Sequence, residues 1–193
     1  MKSGGGSQKG SAFERAVCKQ LSLWWTADED SPRDNIFWRS PGSGAMATQR
    51  QKSGKNIDLI EGDVSLIDPI GEPFLQACVI EIKRGYSAGK SSRFDVLSIV
   101  DAKPTSRGIL LRFWIKLSEL AYEVNKQPML IFHRDRRCSC VCCRPALISL
   151  LRDHSGAYRG SGIKVKSEMP DKHWFIIMSL EGFLDWANPV SFR

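Results

Sequence analysis

GDVSLIDPIGEPFLQACVIEIKRG, residues 62–85, holds two apolar runs around the turn-like PIGEP, with Asp63 ahead of the first and Glu81, Ile82 and Lys83 inside the second. Side chains alternate faces along a strand. Val79, Glu81 and Lys83 therefore share one face, while Ile80 and Ile82 point to the other. Strands over about 63–68 and 76–83, closed by PIGEP, read as a hairpin. Antiparallel partners keep a constant index sum, and a turn centred near Glu72 sets Asp63 across from Glu81. Two carboxylates held together repel, and burial raises their pKa values unless a cation lies between them. Lys83 supplies one positive charge. A hard divalent ion, Mg2+ with Mn2+ able to substitute, completes the set, because such ions take carboxylate and phosphate oxygens while keeping several waters. The bland alternatives are a solvated strand-start aspartate and a solvent-facing Glu/Lys pair. Their joint occurrence in register favours the metal reading.

The rest of the composition suits that chemistry. The chain has 193 residues, 42% hydrophobic and 25% charged, enough for one globular domain with a real core. Lys and Arg outnumber Asp and Glu by 28 to 21, for a formal charge of +7. A polyanion such as nucleic acid is the natural partner, with an anionic membrane surface as the competitor. No apolar stretch approaches the roughly 20 residues of a membrane span. The opening MKSGGGSQKG lacks a signal-peptide core. The expectation is an intracellular soluble protein without a disulfide scaffold. Four of six cysteines crowd into Cys138-Ser-Cys140-Val-Cys142-Cys143, but structural Zn2+ sites usually separate paired cysteines by two to four residues and add a second pair. Cys18 and Cys78 read as core residues.

Residues 1–9 read as a flexible N-terminal tail and 10–193 as a single domain, with a core over 10–136 and a C-terminal extension over 137–193. Phe13, Ala16, Val17, Leu21 and Trp24 recur at helical spacing, predicting a helix over about 11–25, and Ser11 with Glu14 has the form of a capping box. NIFWR reads as a short strand, Leu110 to Ala121 as a second long helix and PMLIFHR as the strand after it. Residues 145–153 read as a helix, HWFIIMSL as a late strand and EGFLDWAN as a last helix. Between these lie two loops rich in Gly, Ser and cations. Arg39, Ser43, Arg50, Lys52 and Lys55 mark the first, Lys90, Arg93, Lys103 and Arg107 the second, and both suit phosphate contacts. Trp38 borders the first loop and could stack on an unpaired base. His133, His154 and His173 form no motif, and no GxxxxGK[ST] loop is present, so a histidine-centred hydrolase and an ATPase are unsupported.

KGSAFER (9–15), Arg39 with SPGSGA (40–45), EGDVSLID (61–68), VIEIKRG (79–85) and PMLIFHRDR (128–136) occur in an order that resembles the PD-(D/E)XK nucleases. Within them the order is most similar to the Holliday junction resolvases of archaea and phages. The resemblance implies an α/β restriction-endonuclease-like fold, a central mixed sheet flanked by helices. It also implies a Mg2+-dependent DNA endonuclease that cuts branched DNA as a homodimer, in recombination and repair, in the cytoplasm of a prokaryotic cell or phage-infected host. Carried over by position, Asp63, Glu81 and Glu14 become metal ligands, Lys83 the catalytic lysine, and Ser43 a catalytic-loop residue near the scissile strand. Arg39, Ser43, Arg50, Lys52, Lys55, Lys90 and Arg93 would contact DNA. The stretch from Gly85 to Gly108 is longer than the compact family pattern, and the cysteine cluster and C-terminal third have no counterpart in it. Two alternatives keep the same fold: a duplex- or flap-cutting phage or restriction-type endonuclease, and a non-catalytic DNA-binding module.

Overall fold

The computed structural model describes residues 5–40, 61–84, 108–134, 136–165 and 174–193, with side chains from residue 10 onward. Helix α1 spans Gly5–Trp25, starting ahead of the residue expected from its apolar spacing. Ser11 and Glu14 consequently lie inside the helix, and the capping box does not form. Once a turn is nucleated, each further residue gains a hydrogen bond for little extra ordering, which lets the helix run back through Gly and Ser. Val17, Cys18 and Leu21 are fully buried. Ser22 ties this helix to the next element. Its Oγ donates to the Cys18 carbonyl at 2.8 Å and accepts from the backbone N–H groups of Ile36 (3.1 Å) and Phe37 (2.9 Å). A hydroxyl has one donor and two acceptor sites, so all three are used. The start of strand β1, Phe37–Arg39, is thereby clamped to α1.

The hairpin expected across residues 63–83 does not form. Strand β2 is only Val64–Leu66 and pairs antiparallel with β1, Phe37 opposite Leu66 and Arg39 opposite Val64. PIGEP is a 3-10 turn, Pro69–Gly71, that runs into helix α2, Glu72–Ala77. Local chemistry favours this outcome. Asp68 Oδ1 accepts from the Ile70 N–H at 3.0 Å, and Pro69 and Pro73 occupy first-turn positions, where a missing N–H costs nothing. Phe74 and Leu75 are buried, and Gly71 permits the close packing, since a Cβ there would lie 2.6 Å from Phe37 Cε1. Strand β3, Cys78–Arg84, follows directly. Asp63 reaches it by another route: Gly62 forms a parallel bridge with Ile80, and the Asp63 N–H donates to the Ile80 carbonyl at 2.7 Å. Gly62 has φ +90°, and a Cβ there would collide with that carbonyl oxygen. Only glycine lets the chain pass this close to β3.

β3 lies parallel to β4, Gln127–His133, with Glu81 opposite Leu130 and Lys83 opposite Phe132. Parallel neighbours require a crossover, and helix α3, Ile109–Glu123, lies between them in the chain. Beyond β5 (Ser139–Cys143) come helix α4 (Pro145–Ser155), β6 (Gly162–Val165), β7 (Phe175–Ser179), helix α5 (Leu180–Trp186) and a 3-10 turn, Pro189–Phe192. The sheet order is β3-β4-β5-β7-β6, with every pair after β3–β4 antiparallel. Alternation splits the core. Ile80, Ile82, Met129 and Ile131 pack in a cluster with α1 residues such as Val17 and Leu21. Val79, Leu130 and Phe132 pack against Leu110 and Trp114 of α3. The molecule is thus α/β, a five-stranded mixed sheet flanked by helices, as expected from the sequence.

The same alternation separates the cysteines. Cys142 joins the α3-side cluster and Cys143 the α1-side cluster, while Cys138 is exposed. Burial pushes the thiols of Cys140 up to about 11 and Cys143 up to about 12, the reverse of the thiolate form that zinc takes.

Candidate active site

Asp63 and Glu81 meet at Lys83. Asp63 is 4% exposed, and its Oδ2 accepts from the backbone N–H of Ile82 at 2.7 Å and from Lys83 Nζ at 3.3 Å. Lys83 also ion-pairs with Glu81 Oε1, one position before Ile82 on the strand. The aspartate is therefore fastened to β3 through the backbone N–H between the two charged residues. Lys83 Nζ sits 5.6 Å from the Phe113 ring centroid of α3, where the ring face favours the cation. Burial raises the Glu81 pKa, and the Asp63 charge raises it further, against the opposing pull of Lys83. For Lys83, burial acts downward, but Glu81 and Asp63 together outweigh it and the pKa is raised. One lysine thus leaves the pair of carboxylates short of positive charge.

Glu14 stands nearby on α1. Its Oε2 accepts from Arg39 Nη1 at 3.1 Å, and the same nitrogen reaches Ser11 Oγ at 3.3 Å. The Glu14 charge also adds to the upward push on Glu81. Cys18, one helical turn on, is raised to about 12 by burial, with Glu14 and Asp63 contributing next. Glu14, Asp63 and Glu81 therefore share one electrostatic neighbourhood, although the Glu14 carboxylate is engaged by Arg39. Among the described residues, no three His, Cys, Asp or Glu side chains are grouped to hold an ion. The hard oxygens available here belong to Asp63 and Glu81, with Glu14 behind its arginine, and such a donor set fits Mg2+ or Mn2+. Ser43, Arg50, Lys52, Lys55, Lys90 and Arg93 lie outside the described residues. Trp38 is 46% exposed on β1.

Arginines also gather at the C-terminal ends of β3 and β4, where no site residue was expected from the sequence. Arg84 stands opposite His133 across the parallel pair, and Arg134, Arg136 and Arg137 follow at once. The signal was available in the run R-D-R-R, residues 134–137. Arg112 and Lys116, exposed on α3 on either side of Phe113, add cations on its outer face. Asp63, from the segment ahead of β2, thus meets Glu81 and Lys83 on β3, the edge strand of the five-stranded sheet. A family model described as "Phage putative PDDEXK endonuclease" matches residues 5–191. The chain belongs to this family. Membership implies DNA as the substrate, and PDDEXK nucleases typically use divalent metals. Comparison with curated proteins and with solved structures gives no match. No helix among the described residues is long and apolar enough to cross a membrane.

Proposed function

We propose that this chain is a divalent-metal-dependent DNA endonuclease whose active centre is Asp63, Glu81 and Lys83 with Glu14, and whose preferred substrate is branched DNA, a four-way junction cut by a homodimer. The observation that carries the catalytic part is the convergence of Asp63 and Glu81 on Lys83 from two separate segments, with Asp63 anchored to the Ile82 N–H. The junction and dimer assignments rest on the order of the sequence motifs alone.

In this reading Asp63 and Glu81 would hold Mg2+, with Mn2+ able to substitute, and Glu14 would be a third carboxylate for the ion. When bound, the ion would polarise the phosphodiester, lower the pKa of water and offset charge on the leaving oxygen. Lys83 orients both carboxylates and places an ammonium where negative charge grows on the phosphoryl group, a preorganised stabilisation of the kind that dominates catalysis. The Ile82 N–H keeps the Asp63 carboxylate from rotating away from the site. Arg39, Ser43, Arg50, Lys52, Lys55, Lys90 and Arg93 contact the phosphate backbone, and residues 10–193 act as one nuclease domain.

Synthetic four-way junctions, flaps and linear duplexes, incubated with Mg2+, Mn2+ or Ca2+, test these parts separately. Wild-type cleavage of junctions, lost in Glu81→Ala and Lys83→Ala, is the expected result. Cleavage by both variants at the wild-type rate refutes the active centre. Duplex cut as readily as junction refutes the resolvase assignment and leaves the nuclease standing.

A further inference from the structure

We propose that the arginine-bearing end of β3 and β4, Arg84 with Arg134, Arg136 and Arg137, is a docking surface for the phosphodiester backbone of the DNA strand leaving the active centre. The proposal rests on the nuclease reading above and adds residues that neither the motif order nor the family match assigns.

Lys83 is opposite Phe132, and Arg84 is opposite His133, in the parallel β3–β4 register. Adjacent strands lie about 4.8 Å apart, so Arg84 and the residues just past His133 share one strand end next to Lys83. The chain then turns, with the Arg137 N–H donating to the Arg134 carbonyl at 3.0 Å. Arg136 sits at φ 63°, a conformation that L side chains seldom adopt, and Arg136 and Arg137 are exposed. Asp135, between Arg134 and Arg136 in the chain, lies outside the described residues.

A run of cations is often only a solvated face, but two of these arginines are not fully solvated. Arg84 Nε and Arg134 Nε are buried without a hydrogen-bond partner. Among the described residues no carboxylate pairs with any of the four arginines, whereas Arg39 and Lys126 are each held by one and Arg33 and Lys83 by two. A guanidinium that no carboxylate holds keeps its outer N–H groups for an arriving anion. Arg84 also lies 5.8 Å from the Phe13 ring centroid, and Phe13 packs against His133 at 5.3 Å. That ring steadies the guanidinium, and a planar guanidinium matches phosphate geometry with paired N–H groups. Arginines without a carboxylate partner at one strand end, two of them half-buried and Arg84 next to Lys83 in the chain, suit a phosphodiester backbone.

The test reads binding rather than cleavage. Fluorescence anisotropy of a labelled duplex and a labelled four-way junction is followed in EDTA across a salt series. The probe proteins are wild type, Arg136→Ala/Arg137→Ala, and the charge-matched control Arg152→Ala/Arg159→Ala, whose residues are exposed elsewhere. Each phosphate-contacting cation adds roughly one unit to the log–log salt slope. The turn variant is expected to bind about tenfold more weakly, with a slope shallower by roughly 2, while the control stays within about twofold of wild type. Unchanged affinity and slope in the turn variant, an equal loss in the control, or no DNA binding by wild type would each overturn the proposal. Because the ion is chelated, a wild type that binds through this turn but cleaves nothing when Mg2+ is restored refutes the nuclease reading and leaves the surface in place.

Discussion

Lys83→Met is the sharpest perturbation of the charge arrangement. Lys83 is 20% exposed and is held between an Asp63 side chain 5% exposed and a Glu81 side chain 26% exposed. Removing one partner of a fully buried ion pair costs about 3–5 kcal/mol, because the remaining charge is left without compensation. Partial solvent access lowers that figure, so about 2–3 kcal/mol is expected at neutral pH. For a chain of this size each kcal/mol moves Tm by about 2–4 °C, which places the variant roughly 5–10 °C below wild type. The deficit depends on pH. Glu81 is already raised by burial and by Asp63, and losing the lysine raises it further. Protonation of Glu81 on acidification then relieves the repulsion, so the gap narrows toward acid and is widest from neutral pH up to the point where Lys83 of the wild type loses its own proton. Adding Glu81→Gln to Lys83→Met removes the same repulsion covalently and recovers most of the lost stability. The assay is thermal and urea unfolding followed by circular dichroism in EDTA over a pH series. A Lys83→Met Tm within about 1 °C of wild type at neutral pH, or a double variant no more stable than the single one, refutes the charge argument.

Glu81→Gln alone tests the sign of the same effect. A carboxyl raised on folding opposes the folded state when ionised, so its penalty is absent below the ordinary carboxylate pKa and grows as pH climbs through the raised value. The variant is expected to be more stable than wild type at neutral pH and equal to it in acid; an identical pH profile would contradict this. Mg2+ is expected to raise the wild-type Tm by mass action and to do so far less in Glu81→Gln, a readout independent of cleavage. Gly62→Ala forces a Cβ into the Ile80 carbonyl at φ +90°, and a loss of about 2 kcal/mol or more, with cleavage impaired, is expected from the strain; wild-type stability would show that the close approach to β3 is dispensable. Glu14→Gln gives up a partly exposed pair with Arg39 (side chains 23% and 32% exposed), so less than about 1 kcal/mol should be lost, while DNA cleavage is expected to fall sharply. Retained cleavage would restrict Glu14 to a structural role.

Much of the architecture follows from local pattern. Strong apolar periodicity marked α1 and α3, and unbroken apolar runs marked β4 and β7, because burying those faces dominates every competing preference. The segment around PIGEP misled for an equally physical reason. Proline and glycine suit a turn, but proline also suits the first turn of a helix, and burial of Phe74 and Leu75 selects the helix. The cysteine run shows the same limit, since zinc-like crowding in sequence becomes separation on two faces of a strand.

The sequence by itself determined that Glu81 and Lys83 share a strand face, because two-residue alternation is a property of the extended backbone. It also determined the helix and strand order that places the chain among α/β folds, because hydrophobic period is local. Only the tertiary structure decided how Asp63 reaches that face. The contact passes through a parallel bridge at Gly62, a clash-free glycine and the Ile82 N–H, rather than through a hairpin register. Only the tertiary structure, too, set Arg39 on Glu14 and gathered Arg84 and the Arg134–Arg137 turn at one strand end. Those contacts join residues about 20 to 50 positions apart, and closing such distances is settled by packing of the whole sheet rather than by any local preference.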